Sequence, residues 1–452
     1  MSLQADLFND LGSKPASLLV RLLDSADTVL VKKLSNNDRD WARFSNKHQA
    51  GVYMPPAQRD GGFFPPLVEK ERDKGEPIRE AYFRTVWPAV DETRDDTRLV
   101  HYTSKGSETH MTRLPKEAFR DLDPASFLVM AQRNEAGQPF YECLTISSTT
   151  DDALLLADLL DMQPDFRIEV FNPKLRRKAE QERILDFAEQ VIAAWLAGQI
   201  APFAKTHAVM PATAALAEQA RTAWLVREGH EHLDPWKINT PGNALRDISR
   251  SVEWELFREF QRRERAVTLV RLVMGDMPGP VTAAAVIRSL IDRLPEIDAL
   301  MLSAAQQRKS RAGYSFEHHI EAMLAAGRIP FEKQVIMDAK KRPDFVLPSL
   351  AVLRRGPSGT SGGLILSAKT TLRERWKQVQ REMGVHEMFL ATVDETVAGN
   401  AIEDMATMGI TLVVPEALKT SKDAEYDKQP NVLGFRQFFD AHVRAKLAAW
   451  RV

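Results

Sequence analysis

The chain has 452 residues, too long for one ordinary core and suited to two or three domains, of which we expect two. With 44% hydrophobic and 27% charged residues it lies near the averages of soluble globular proteins, which excludes a disordered or fibrous class. Its net charge of −1 argues against an indiscriminate nucleic-acid coat, because binding to phosphate rewards lysine and arginine through counterion release.

The first residues, MSLQADLFNDLGSK, lack the basic-then-apolar order of a secretory signal, and no run of about 18 apolar residues occurs, so a cytoplasmic protein is expected. Residues 1 to about 175 carry short apolar segments such as 28–31 and 126–130, punctuated by Pro-Pro and Gly-Gly pairs, and predict a mostly β domain with long loops. Its single cysteine, Cys143, can form neither an internal disulfide nor a zinc cluster, and no His-rich spacing supplies other ligands. Any bound metal is therefore expected to be held by oxygen.

From about Pro173 to Leu225 the pattern turns helical, with breaks at prolines 202 and 211, and the domain junction is expected there. The division that follows is 1–175 for an N-terminal domain, 176–225 for a helical linker region and 226–452 for a C-terminal domain. Residues 252–273 have apolar residues at helical spacing among dense charge, which fits either core scaffold or a dimer contact. Ser315 is a suitable N-cap for a helix through Ala326, with Phe316, Ile320, Met323 and Leu324 as its buried stripe and Gly327 available to end it. A strand at 344–347, the Gly/Ser/Pro-rich stretch RRGPSGTSGG and a strand at 364–368 ending on Lys369 read as a hairpin. Beyond them we expect a helix at 372–383, a strand at 389–393, a helix at 398–408, a strand at 410–414 and a last helix at 432–449. Such alternation predicts a mixed sheet flanked by helices.

The chemistry concentrates in this second half. From Asp338 to Glu382 there are ten Lys or Arg against four acids, a basic surface with a few embedded carboxylates. Pro343-Asp344 is followed 25 residues later by Lys369 and 13 beyond that by Glu382. Asp344 begins one strand of the hairpin and Lys369 ends the other, so the two can converge at one end of a sheet. Hydrolysis of a phosphodiester needs a metal that polarises the phosphoryl oxygen and acidifies a bound water, and Mg²⁺ takes hard oxygen ligands. In this reading Asp344 is the chief metal ligand, Glu317 or Glu382 completes or orients the shell, and Lys369 positions or helps deprotonate the attacking water and steadies negative charge on phosphorus. A surface ion pair is the bland alternative for each residue singly; the ordered set weighs against it.

The stretches QQRKSRAGYSFEHHIEAML, KKRPDFVLPS and LILSAKTTLRERWKQVQREM resemble the catalytic domain of EcoRII-type restriction endonucleases, a branch of the PD-(D/E)xK nucleases, in order and nearly without gaps over 306–383. Weaker likeness extends to VVPEAL near 414–418. Ser367 stands where the wider superfamily has an acid two residues before the lysine; in the EcoRII-type branch that acid is displaced onto the next helix, where Glu382 matches it, and Glu317 matches the helix-borne glutamate. The resemblance implies a magnesium-dependent type II enzyme cutting double-stranded DNA, a restriction-endonuclease-like α/β C-terminal domain, and a cognate cytosine methyltransferase in the same cell.

Arg373-Glu374-Arg375 follows the lysine. Arginine bonds guanine O6 and N7 in a fork and glutamate accepts from cytosine N4, so this triplet suits C·G pairs in the major groove; an ordinary salt-bridged helix start is the alternative. The family reads the outer CC and GG of sites such as CCWGG with this segment, which implies a C/G-rich palindrome and a homodimer to cut it. Trp376 is expected in the core. In the first domain KKLSNND (32–38) and KHQAGVYMPP (47–56) resemble the opening of the family's separate β-rich, pseudobarrel DNA-binding domain, which binds a second, effector copy of the site. His48 and Tyr53 match positions of its DNA cleft, and in the shortened stretch HYTSKGSETHMTR (101–113) Lys105, Glu108 and Arg113 are the counterparts of its basic cluster. Satisfied fold residues are the alternative for His48 and Tyr53. Two rivals to the whole reading are a non-catalytic DNA-binding regulator on a decayed nuclease fold and a repair or structure-selective nuclease.

Overall fold

The computed structural model describes residues 15–44, 51–71, 76–135, 137–163, 165–337, 342–355, 362–372, 376 and 386–450. It divides into two units: the first comprises Met1–Ala179 with Glu395–Ala398 and Ser421–Glu425, the second Glu180–Asp394, Gly399–Thr420 and Tyr426–Val452.

The first unit is built on one sheet of nine strands: β1 (Val29–Lys33), β2 (Val52–Tyr53), β3 (Val68–Lys70), β4 (Ile78–Trp87), β5 (Glu92–Tyr102), β6 (Thr109–Thr112), β7 (Phe127–Glu135), β8 (Gln138–Ile146) and β9 (Ile168–Phe171). The order is β2-β6-β5-β4-β8-β7-β1-β9, with β3 beside β4, so the sheet is left open between β2 and β9, as a half-barrel rather than a closed barrel. Alternation along each strand splits the apolar residues between two faces. Leu30, Leu128, Met130 and Cys143 enter one core, while Val29, Val31, Val129, Ala131 and Leu144 enter the other. Burial on both faces explains why Cys143 is inaccessible and why its thiol is pushed well above the ordinary range.

Among the described residues of this unit the buried charged groups have partners, as the desolvation cost of a lone charge requires. Lys32 Nζ meets Asp38 Oδ2 at 2.8 Å and Lys33 Nζ meets Glu395 Oε1 at 2.8 Å. Asp38 also closes a capping box with Ser35 at the start of the helix Asn36–Arg43 and accepts the Tyr53 amide at 2.7 Å. The motif KKLSNND is thus the knot that ties β1, this helix and β2 together.

The second unit contains a mixed six-stranded sheet in the order β10 (Glu332–Lys333), β11 (Phe345–Leu347), β12 (Leu364–Lys369), β13 (Glu387–Thr392), β14 (Ile410–Val414), β15 (Val432–Gly434). The first three are antiparallel neighbours and β12 to β15 are parallel. Parallel strands covered on both faces read as unbroken apolar runs, which is what LILSA, MFLAT and ITLVV are. Helices Thr213–Glu228, Pro241–Asp247 and Glu253–Met274 precede the sheet, and Gly399–Thr407 crosses from β13 to β14.

Two expectations are corrected here. The helix expected to start at Ser315 is continuous over Leu294–Ala326. Ser315 does not cap it: the hydroxyl donates instead to Glu253 Oε2, which also lies 2.7 Å from His319 Nε2, so a buried carboxylate bonds this helix to Glu253–Met274. Phe316, Ile320, Met323 and Leu324 do form the buried stripe, against Phe345, Leu364 and Leu366 of the sheet. Gly327 caps the helix at a point where Pro235 Cγ would lie 2.8 Å from any Cβ, so the close packing there requires glycine, while the left-handed turn itself falls on Arg328, φ 52°. The last helical stretch begins at Phe435 rather than at 432, since Val432–Gly434 pairs with β14 as an edge strand. The expected helix at 372–383 lies outside the described residues, apart from Leu372 and a buried Trp376.

Glu416, in the VVPEAL segment, holds two helix starts at once. Its carboxylate accepts the amides of Asn243 at 3.0 Å and Gly242 at 3.4 Å from the helix Pro241–Asp247, and of Arg436 at 2.8 Å from the helix beginning at Phe435. Gly242 permits this approach, because a Cβ there would stand 2.8 Å from Pro415 Cα. Glu416→Ala leaves three amides without this acceptor and is expected to lower stability by about 2–4 kcal/mol, with Glu416→Gln losing less. Urea unfolding checks this, and a loss under about 0.5 kcal/mol would show that solvent replaces the carboxylate.

Candidate active site

The antiparallel register of β11 and β12 pairs Phe345 with Leu366, so the start of one strand and the end of the other lie at the same end of the sheet. Asp344, one residue before β11, is drawn to that end by two donors to one oxygen. Its Oδ2 accepts the Ala368 amide at 2.8 Å and the Lys369 ammonium at 2.7 Å. Asp344 is 8% exposed, so the pair is shielded and its geometry is fixed by main chain as well as by charge. Among the described residues no hydrogen bond reaches Asp344 Oδ1.

Glu317 comes to the same place from the long helix. It is equally buried, and its carboxyl is pushed up to about 7, first by burial and then by the neighbouring Asp344 charge, against the opposing pull of Lys369 and Lys333. Glu321, one turn on, is half-buried and takes Lys333 Nζ at 2.6 Å, which holds its carboxyl below the ordinary range despite burial. Glu317, Asp344 and Lys369 are therefore brought together. Glu382, Arg373, Glu374 and Arg375 lie outside the described residues.

Two further residues bear on this end of the sheet. Asp394, 1% exposed, accepts the Leu372 amide at 2.7 Å, while its own amide donates to Thr392 Oγ1 at 3.0 Å, so it fixes the chain three residues after Lys369. Gln334, directly after β10, has φ 51° and donates its amide to the Asp344 carbonyl at 3.0 Å. Neither stood out in the sequence, because a lone Asp after a strand is common and the sign of φ leaves no mark in a glutamine.

In the first unit Tyr53 and His110 are paired across β2 and β6 with ring centroids 5.9 Å apart, and His110 Nε2 lies 2.9 Å from Glu108 Oε1. His110 was passed over, although the alternation of THMT places it opposite Tyr53. Arg113 stands in a different setting: it has φ 61°, pairs with Asp96 at 2.9 Å and lies over the Tyr82 ring at 5.3 Å. Lys105 lies in the short turn Thr103–Lys105, and His48 lies outside the described residues.

Oxygen donors fit a hard divalent cation here. The two described carboxylates, Glu317 and Asp344, crowd each other enough to raise one of them, and a cation would relieve that repulsion. No group of three or more His, Cys, Asp or Glu is gathered among the described residues, so a cation held by these two would keep several waters, as Mg²⁺ does. No described helix is long and apolar enough to cross a membrane.

Residues 281–439 match the family of the EcoRII C terminal domain. The type II restriction enzyme EcoRII of Escherichia coli is 34% identical over 135 residues, 29% of this chain and 33% of that protein. The type II restriction enzyme SsoII of Shigella sonnei is 28% identical over 216 residues, 45% of this chain and 68% of that protein. The matched part thus spans about a third of EcoRII and two thirds of SsoII. Among solved structures, metal-depleted Ecl18kI in complex with uncleaved, modified DNA is 25% identical with a TM-score of 0.44, covering 56% of this chain and 82% of that one. The PspGI-substrate DNA complex is 18% identical with a TM-score of 0.39, covering 52% and 93%.

Proposed function

The chain belongs to the EcoRII-like family of type II restriction endonucleases and is homologous to EcoRII and SsoII, and from that premise we propose that it hydrolyses phosphodiester bonds of double-stranded DNA at a short C/G-rich palindrome of the CCWGG kind. The observation that carries the proposal is the junction of Asp344 and Lys369 at 2.7 Å beside the buried Glu317, within a stretch of sequence where ten Lys or Arg stand against four acids.

Asp344 and Glu317, with Glu382, would hold Mg²⁺, which when bound supplies Lewis acidity and an acidified water. The chain's own groups do the rest. Lys369, oriented by Asp344, presents a fixed positive charge where negative charge grows on the phosphate and holds the attacking water in line. Asp344 keeps the ammonium in place through Oδ2, and its carboxylate would also serve as a ligand of the cation. Arg373, Glu374 and Arg375 would read the outer C·G pairs, and a homodimer would apply one such site to each strand. Tyr53, Glu108, Arg113, Lys105 and His48 would form the contact with a second, effector copy of the site, and the first unit would restrain the nuclease until it is filled.

Incubation with Mg²⁺ and plasmids of known sequence, followed by sequencing of the fragment ends, tests this. Discrete fragments with a common C/G-rich end are expected; a smear, or nicking confined to damaged or branched DNA, favours a repair or structure-selective enzyme. Removal of residues 1 to about 190 is expected to leave cleavage intact or faster. Absence of cutting by the shortened chain at every Mg²⁺ concentration would defeat the regulatory part of the proposal.

A further inference from the structure

We propose that Asp394 is a positioning residue for base readout, fixing the backbone immediately before Arg373-Glu374-Arg375; this rests on the reading of that triplet as the contact with the outer C·G pairs. The parallel register sets Lys369 of β12 beside Thr392 of β13, so both strands end on the same side of the sheet. Asp394 stands two residues beyond that pair and is 1% exposed. Its amide, carbonyl and carboxylate are all engaged. The amide donates to Thr392 Oγ1 at 3.0 Å, the carbonyl accepts the Tyr426 hydroxyl at 2.5 Å, and Oδ2 accepts the Leu372 amide at 2.7 Å.

Leu372 is one peptide bond from Arg373 and has no exposed surface, so its amide needs an acceptor inside the protein. A hydroxyl two residues back, that of Thr370, could close a local turn on it and would leave the following residues to move with their own loop. The acceptor instead comes from 22 residues away, on the chain leaving β13, which ties Leu372 to the strand beside Lys369. On the other side of the triplet Trp376 is 4% exposed, so the three residues are bracketed by two buried ones. Chemistry and readout thus share one frame: Asp344 fixes Lys369, and Asp394 fixes the chain three residues later. The forked bonds of arginine to guanine are narrowly directional, so a small backbone displacement loses the correct pair, whereas contacts to phosphate carry no sequence information to lose.

The test compares single-turnover cleavage by the full-length protein, with Mg²⁺, of the cognate duplex and of one in which a single outer C·G pair is replaced by T·A. Asp394→Ala is expected to lower the ratio of the two rates about 10-fold or more, chiefly through slower cutting of cognate DNA, with binding of an unrelated duplex in Ca²⁺ unchanged. Asp394→Asn, which keeps an acceptor oxygen, should hold the ratio within about threefold of wild type. A role confined to stability changes the amount of active protein, which divides out of the ratio. If Asp394→Ala does not fold, Thr392→Val decides on the same readout: it removes the acceptor of the Asp394 amide with little change of shape, and a fall of about 2- to 10-fold is expected. An unchanged ratio in Asp394→Ala, or in Thr392→Val where it stands in, overturns the inference, as does a fall in Asp394→Asn equal to that in Asp394→Ala. Arg373→Ala and Arg375→Ala are the controls. A wild type that ignores the outer pair, or arginine variants that keep its ratio, refute the reading of the triplet and this inference with it; arginine variants that lose the ratio beside an unaffected Asp394→Ala refute only this one.

Discussion

Lys369→Ala is expected to reduce Mg²⁺-dependent cleavage of cognate plasmid by at least about 1,000-fold while leaving duplex binding in Ca²⁺ within several-fold of wild type. The ammonium bonds Asp344 Oδ2 at 2.7 Å, beside the Glu317 carboxyl on which its charge also acts. The Ala368 amide still holds Asp344 after the substitution, so the fold of this sheet end should survive. Lys369→Arg should not restore activity, because a planar guanidinium cannot occupy the same point as a compact ammonium. Cutting within about tenfold of wild type would remove Lys369 from the chemistry. Loss of cutting with retained binding also separates an enzyme from a DNA-binding regulator on a decayed fold, whose wild type would bind without cutting.

Glu317→Gln should separate stability from activity through pH. The Glu317 carboxyl titrates at about 7 in the folded chain against an ordinary 4.5, so the folded state holds the proton more tightly than the unfolded chain. Stability of the metal-free protein therefore falls as pH rises from about 4.5 to 7 and stays lowered above that, by roughly 2–3 kcal/mol from this group. Glutamine cannot ionise and escapes the loss. In EDTA the variant should melt several degrees above wild type at pH 8 and close to it at pH 5, while its cleavage drops by about 100-fold or more. Adding Mg²⁺ at pH 8 should raise the melting temperature of wild type more than that of the variant. An equal difference at both pH values would mean that Glu317 does not carry this burial penalty.

Much of the second unit was legible because its signals are local. The runs LILSA and ITLVV, broken by Gly, Ser and Pro, set β12 and β14, and the ends of a hairpin necessarily bring Asp344 to Lys369. The long helix was misread at Ser315 because an N-cap signature describes hydrogen bonding to the next turn, and here the hydroxyl serves Glu253, 62 residues away. The edge strand Val432–Gly434 is three residues long, too short to show alternation before a strongly helical stretch. In the first unit the two-faced sheet could be anticipated only as β content. Its parallel contact between β4 and β8, at Arg84–Phe140, joins residues more than fifty apart, which no short pattern encodes. Gln334 and Asp394 escaped for a related reason, since their significance lies in a backbone angle and a bond to an amide.

The enclosure of Cys143 in one of the two cores that flank the first unit's sheet has a practical consequence. A maleimide reagent should find no target on the native chain, so a cysteine introduced at Val226, which is 78% exposed, would become its sole labelling point. One fluorophore could then follow a single helix of the second unit as duplex is added, without first stripping the protein of its own sulfur.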